Sequence, residues 1–189
     1  ALTYDKKDKY YEWQPARWAG NYSAINLMKE YLKNINSIIE VGAGSAAFSI
    51  ALYNKKNDLK LTAIDISPTA AKYGQMISSD LDVPLNYIVG DLFECTGKFD
   101  LVLSLGVIEH FTSQQMDDFV EKCVNLSSKY ILIAIPNQES QIFKNYVSWS
   151  NKNSKEYEEK HNVFNNYDLK CLLKKHNLKI CLLYTSDAA

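Results

Sequence analysis

The sequence predicts an α/β fold: a doubly wound, mainly parallel sheet with helices on both faces. Three observations carry this. Apolar runs of five to seven residues recur along the chain, at 37–41, 59–64, 85–89, 99–105 and 130–135. Segments with apolar residues at helical spacing separate most of them. The first three runs close on glycine or an acid, at Gly42, Asp65 and Gly90–Asp91. Strands apolar on both faces belong to a parallel sheet covered on both sides, and its crossovers are right-handed.

The elements follow in chain order. Residues 1–20 are aromatic and polar, with Tyr4, Tyr10, Tyr11, Trp13 and Trp18. Residues 22–33 place Ile25, Leu27, Met28, Tyr31 and Leu32 at helical spacing. After the strand Ser37–Val41, Phe48, Ile50, Ala51 and Leu52 mark a helix over 46–55. Ser67 followed by Pro68 starts a helix after the second strand, a capping residue with proline at the first helical position, and it runs to about Ser79. A helix over Ser113–Leu126, capped by Ser113, follows the strand Phe99–Leu105. Pro136 stops the strand Tyr130–Ile135. Residues 137–163 show no clear period, Asn166 caps a helix to about His176, and Leu178 opens a last apolar strand.

Composition narrows the function classes. At 189 residues the chain makes one domain, with roughly 70% of its extended surface buried on folding. A net charge of −1 provides no broad basic face for duplex nucleic acid. No apolar run reaches the roughly 18 residues of a membrane span, and no secretory leader pattern opens the sequence. The four cysteines, Cys95, Cys123, Cys171 and Cys181, contain no CxxC pair, which disfavours a zinc site or a disulfide framework and fits a reducing cytoplasm. Arg17 is the only arginine, and the abundance of Lys, Asn, Ile and Tyr reads as codon bias. The chain starts at Ala1, as a fragment would, and Cys181–Ala189 (CLLYTSDAA) resembles the translated read-through of a sequencing adapter. The expected organisation is therefore a single domain over 1–180, with an N-terminal cap segment at 1–21, an acceptor-side insert at 137–165 and a non-native tail at 181–189.

In a doubly wound sheet ligands bind outside the carboxyl ends of the strands, so the residues just after each strand carry the information. Glu40-Val-Gly42-Ala43-Gly44-Ser-Ala46-Ala47 places two glycines where a tight turn and close backbone approach are needed, before a helix with free N–H groups. This G-x-G-x-x-A string also fits a dinucleotide fingerprint, but Glu40 would crowd a pyrophosphate and suits a cationic ligand group. Asp65, 21 residues after Gly44, can accept hydrogen bonds from ribose hydroxyls; the alternative is an acid favoured by a helix N-terminus. Asp91 could accept from an adenine amino group while Leu92 packs on the ring, or it closes a solvated turn. Glu109 and His110 follow the fourth strand, where His110 could serve as a general base, or the two form a structural pair.

The order Glu40-x-Gly42-x-Gly44, Asp65, Gly90–Asp91, and Phe99–Asp100 leading to Gly106-Val-Ile-Glu-His-Phe111 resembles the class I S-adenosylmethionine-dependent methyltransferases, in particular their small-molecule branch. The resemblance covers about residues 22–180. It implies a Rossmann-like sheet, S-adenosylmethionine as cofactor, and methyl transfer to a small-molecule acceptor by in-line displacement. It also implies that Glu40, Gly42, Ala43 and Gly44 line the methionine half of the cofactor. Asp65 and Ile66 would hold ribose and adenine, Asp91 and Leu92 the adenine, and Leu105 would close over the sulfonium side. Ala46 stands where the family has a third glycine, which narrows the loop. The Asn-Pro-Pro-Tyr type motif and the Pro–Cys pair of DNA-base methylation are missing, and nothing remains after Leu183 for the family's last antiparallel strand, leaving an open sheet edge.

Because the sulfonium methyl is already activated, the protein mainly aligns the reactants, which is worth on the order of 7–11 kcal/mol. A base such as His110 is needed only for an acceptor that loses a proton. Acceptor choice is expected from Trp13, Arg17, Trp18, Asn137, Tyr146, Trp149, His161 and Phe164; the plainer reading is that these aromatics only cover the sheet. No metal, nucleic-acid or membrane partner is expected. The alternatives are an NAD-dependent oxidoreductase, which the glycine loop and Asp65 also fit, and a non-catalytic S-adenosylmethionine-binding domain.

Overall fold

The computed structural model describes residues 24–137 and 166–183, with 140, 141, 144, 145 and 148 between them. Its elements are α1 (Lys29–Leu32), β1 (Ser37–Val41), α2 (Ala47–Tyr53), β2 (Lys60–Asp65), α3 (Pro68–Asp80), β3 (Leu85–Val89), β4 (Phe99–Leu105), α4 (Ser113–Leu126), β5 (Ser127–Ala134) and α5 (Asn166–Lys175). Short 3-10 turns at Leu92–Glu94 and Ile108–His110 follow β3 and β4.

The five strands form one all-parallel sheet in the order β3-β2-β1-β4-β5, as the apolar runs predict. β1 is central, and alternation along it feeds two cores. Ile38 packs with Leu101, Leu103, Phe48, Ile50, Leu52 and Ile77 on one face. Ile39 and Val41 pack with Val102, Phe119, Val120 and Cys123 on the other. Burying each large side chain contributes about 1.5–3 kcal/mol, so the two faces together hold the sheet. The strand order reverses between β1 and β4, which puts the ligand crevice at their carboxyl ends.

At the opposite, amino edge, Asp100 ties the starts of β1, β4 and β5 together. Its carboxylate accepts from Asn36 N–H at 2.7 Å and Ser128 Oγ at 3.1 Å and pairs with Lys129 at 3.1 Å. Its own N–H donates to Ser37 Oγ at 3.0 Å. The Asn36 N–H first, then Lys129 and Ser128, hold this carboxyl below the usual carboxylate range. Its contribution is therefore complete above about pH 4, the ordinary aspartate value, and is lost as pH falls through the lowered folded value. Asp100→Ala is expected to cost about 2 kcal/mol at pH 7, in the range of charge-assisted hydrogen bonds. Urea unfolding at pH 7 and at about pH 2 should show the gap to wild type shrinking in acid.

Several expected boundaries move. The helix expected over 22–33 is interrupted at Met28, where Met28 N–H is shared between Ala24 O at 3.1 Å and Ile25 O at 3.2 Å. Thr112, not Ser113, caps α4. Thr112 Oγ1 accepts from Gln115 N–H at 3.4 Å and Gln115 Oε1 accepts from Thr112 N–H at 2.9 Å, a capping box. Asn166 is the first helical residue of α5. β5 begins at Ser127, directly after α4, because Ser127 pairs with Phe99 across an irregular register and Ser128 Oγ donates to Phe99 O at 3.1 Å.

The strand expected from Leu178 does not form. Asn177 adopts φ +57°, its N–H donates to Lys174 O, and Leu178 N–H donates to Leu173 O at 3.1 Å. This left-handed cap takes the N–H that would open a ladder. The outer edge of β5 has no strand partner among the described residues. Residues 178–183 instead line, with β5 and α5, a groove of about 460 Å³. Lys175 and His176 pin α5 to α4 through Asp117, at 2.5 Å and 3.2 Å. No helix among the described residues is long and apolar enough to cross a membrane.

Candidate active site

The site is built around the turn after β1. Gly42, Gly44 and Ala46 all lie in the left-handed region, at φ +62°, +54° and +53°. Three such residues in five do not hold their shape unaided, and the surrounding elements supply the holding contacts. Ala43 N–H donates to Ile64 O of β2 at 3.1 Å, and Ala46 N–H to Ala43 O at 2.7 Å. Gly44 N–H donates to Asp65 Oδ2 at 2.8 Å. Asp65 Oδ1 accepts from Ser67 N–H at 2.9 Å, while Ser67 Oγ accepts from Ala70 N–H at 3.2 Å as the predicted cap of α3. Asp65 thus joins three pieces: the end of β2, the glycine turn and the start of α3.

The two glycines differ in what surrounds them. A Cβ at Gly42 would lie 2.5 Å from Val107 Cγ2, so the turns after β1 and β4 pack directly on each other. A Cβ at Gly44 would meet nothing within 4 Å. The open face of the turn is therefore at Gly44. Ala46 does not narrow that face: its methyl is buried against Ala43 and Ala63.

Glu40 has a task that its position in the sequence does not announce. It is 4% exposed, and its Oε2 accepts from Ser49 N–H at 3.0 Å and Ser49 Oγ at 2.6 Å. Ala46 at the N-cap of α2 has no side-chain oxygen to offer. A carboxylate from β1 caps the helix in its place, where the macrodipole favours negative charge.

The remaining candidates line the same carboxyl edge. Ile66, next to Asp65, is a large apolar side chain left 77% exposed. Gly90 N–H donates to Asp65 O at 3.0 Å, which brings the turn after β3 to the same place. Asp91 is exposed and its Oδ1 accepts from Phe93 N–H at 2.9 Å, so it caps the 3-10 turn; Leu92 is buried in the second core. Leu105 is the half-buried last residue of β4. The Ile108–His110 turn separates its two polar residues: Glu109 is 2% exposed, with Oε1 3.5 Å from the Cβ position of Gly106, and His110 is exposed. Asn137 lies among the described residues at the end of the β5 connection. Trp13, Arg17, Trp18, Tyr146, Trp149, His161 and Phe164 lie outside the described residues.

Reading the residues after each strand finds the turn, Asp65 and Ile66, but misses Tyr87, Gly74 and Ser49. Tyr87 OH donates to Gly44 O, and burial, together with the Asp65 and Glu40 carboxylates, pushes its hydroxyl well above the usual tyrosine value, keeping it a donor. No strand-end pattern marks a tyrosine in the middle of β3.

A parallel sheet with a glycine turn after β1 and an acid at the end of β2 defines a nucleotide-cofactor domain of the doubly wound class. A family model described as a methyltransferase domain matches residues 39–129. Ajmaline N-methyltransferase of Rauvolfia serpentina is 30% identical over 108 residues, covering 54% of this chain and 36% of that protein. Carboxy-S-adenosyl-L-methionine synthase of Campylobacter hominis is 26% identical over 132 residues, covering 64% of this chain and 56% of that protein. The chain thus spans between a third and little more than half of these relatives. Among solved structures, magnesium protoporphyrin IX methyltransferase of Synechocystis PCC 6803, with bound S-adenosylhomocysteine, superposes with TM-score 0.68 at 15% identity, over 89% of this chain and 76% of that one. Over residues 39–129 the chain thus resembles a methyltransferase domain, and its fold is that of a solved methyltransferase with bound S-adenosylhomocysteine.

Proposed function

We propose that the protein binds S-adenosylmethionine at the carboxyl edge of β1, β2 and β3 and transfers its methyl group to a small-molecule acceptor. The observation that carries this is the Gly44 peptide, held by Asp65 and Tyr87 while its left-handed face is open. The residues present fit the cofactor. Asp65 spends one acceptor position on each oxygen and keeps further lone pairs for ribose hydroxyls. Ile66 offers an exposed apolar face to adenine, with Leu92 beneath the same edge. On this reading Asp91, exposed and capping its own turn, would also accept from the adenine amino group. Gly42, Ala43 and Gly44, with Glu40 behind them, line the methionine half, and Leu105 borders the sulfonium side.

When bound, the cofactor supplies a methyl group already activated by positive charge on sulfur. The protein's task is then to align and to exclude water. On this reading His110, exposed on the turn after β4, would take a proton from a hydroxyl acceptor, while its neighbour Glu109 is buried in the same turn. A small-molecule acceptor agrees with what the ajmaline and magnesium protoporphyrin IX enzymes are named for. A cytoplasmic setting agrees with four free cysteines.

Thermal unfolding with S-adenosylhomocysteine, with NAD in parallel, tests the reading. A ligand at 100 times its dissociation constant adds about 2.7 kcal/mol, a rise of roughly 5–10 °C for a chain of this size. A rise with S-adenosylhomocysteine alone is expected. A rise with NAD alone, or with neither in a cooperatively folded sample, overturns it.

A further inference from the structure

We propose that Tyr87 is the positioning residue that holds the glycine turn in its ligand-receiving shape, and that Gly74 is the seat that lets it do so. The proposal rests on the cofactor assignment above. Tyr87 stands in the middle of β3, paired with Ala63 of β2, and its ring reaches under the turn after β1. Its hydroxyl donates to Gly44 O. The Gly44 N–H on the other side of the same residue donates to Asp65. One residue at φ +54° is thus gripped at both polar atoms from two different strands, and only its open face is left for a ligand.

Gly74 explains how the ring fits. It lies inside α3, where glycine is a destabilising choice. A Cβ there would stand 2.7 Å from Tyr87 Cε2, 2.9 Å from Tyr87 Cδ2 and 3.2 Å from Ser45 O. The missing side chain is the slot that the aromatic ring occupies, directly beside the turn. The helix gives up a favourable residue so that a hydroxyl can reach a carbonyl 43 residues away in sequence.

Losing the hydroxyl leaves the turn free to populate other shapes, and apparent affinity falls with the fraction that is competent. A single net hydrogen bond corresponds to about fivefold in such an equilibrium. Tyr87→Phe keeps the ring and removes only the donor. Gly74→Ala keeps the donor and displaces the ring. Both are expected to raise the dissociation constant for S-adenosylhomocysteine fivefold or more, measured by calorimetry well below the unfolding temperature. Amide exchange of residues 43–46 in the ligand-free protein should speed up in Tyr87→Phe, with exchange in β4 and β5 unchanged. A merely structural tyrosine would lower the unfolding temperature and leave both readouts alone. Wild-type affinity in both variants, or wild-type exchange at 43–46 in Tyr87→Phe, overturns the proposal. If the wild-type protein itself ignores S-adenosylhomocysteine, the cofactor reading falls, and the exchange measurement alone decides whether the tether exists.

Discussion

Asp65→Ala is expected to weaken S-adenosylhomocysteine binding by 100-fold or more. Two losses combine. Ribose hydroxyls lose a charged acceptor, which costs about 1.5–3 kcal/mol. Gly44 N–H and Ser67 N–H lose their acceptors at 2.8 Å and 2.9 Å, so the turn and the start of α3 lose their common anchor. Together these reach about 3 kcal/mol, two powers of ten in affinity. Asp65→Asn keeps the shape and one acceptor oxygen and should fall between the two. Calorimetric titration decides; a loss under about fivefold in Asp65→Ala would remove it from the site.

Gly42→Ala is expected to destabilise the ligand-free protein by about 2–4 kcal/mol. The left-handed conformation at φ +62° costs a residue with a Cβ about 1–2 kcal/mol. The new methyl would also stand 2.5 Å from Val107 Cγ2, and β-branched valine has few other rotamers to adopt. For a chain of this length the unfolding temperature should drop by roughly 5–15 °C. Gly44→Ala is the matched control. It bears the same backbone penalty but no clash, so it should unfold closer to wild type while its methyl fills the face left for the ligand. If both variants lost equal stability, Val107 would not be the wall that the structure shows.

The sheet was legible because its signal is local. Each strand is a mostly apolar run, and the central β1 and β4 are largely buried on both faces, so no alternation has to be phased there; the flanking β3 and β5 are half-exposed and show in the sequence through apolar content alone. β1, β3 and β4 sit at their expected positions, and Ser67–Pro68 starts its helix as written. Thr112 was legible too, since Thr-x-x-Gln before an apolar-periodic segment is a capping box; Ser113 draws the eye only because it is the better-known cap type. The last strand fails because an apolar run shows that a segment can be buried, not that its amides are free. Asn177 in the left-handed region commits Leu178 N–H to α5, and no hydropathy pattern reports that.

For the site the division is sharper. By itself the sequence determined which residues stand at the strand ends: the glycine turn, Asp65, Ile66, Asp91 and the Glu109–His110 turn. Strand order in a doubly wound sheet then brings those ends to one crevice, whatever lies between them. Only the tertiary structure decided what each does there. Glu40 turns inward to cap α2 through Ser49, Asp91 caps its own turn, and Glu109 is buried while its neighbour His110 is exposed. Only the tertiary structure brought in Tyr87 and Gly74, which hold the turn from β3 and α3. The physical reason is range. Turn, cap and strand preferences act over a few residues, whereas the direction of a buried carboxylate or hydroxyl depends on which donor or acceptor a distant segment brings within about 3 Å of it.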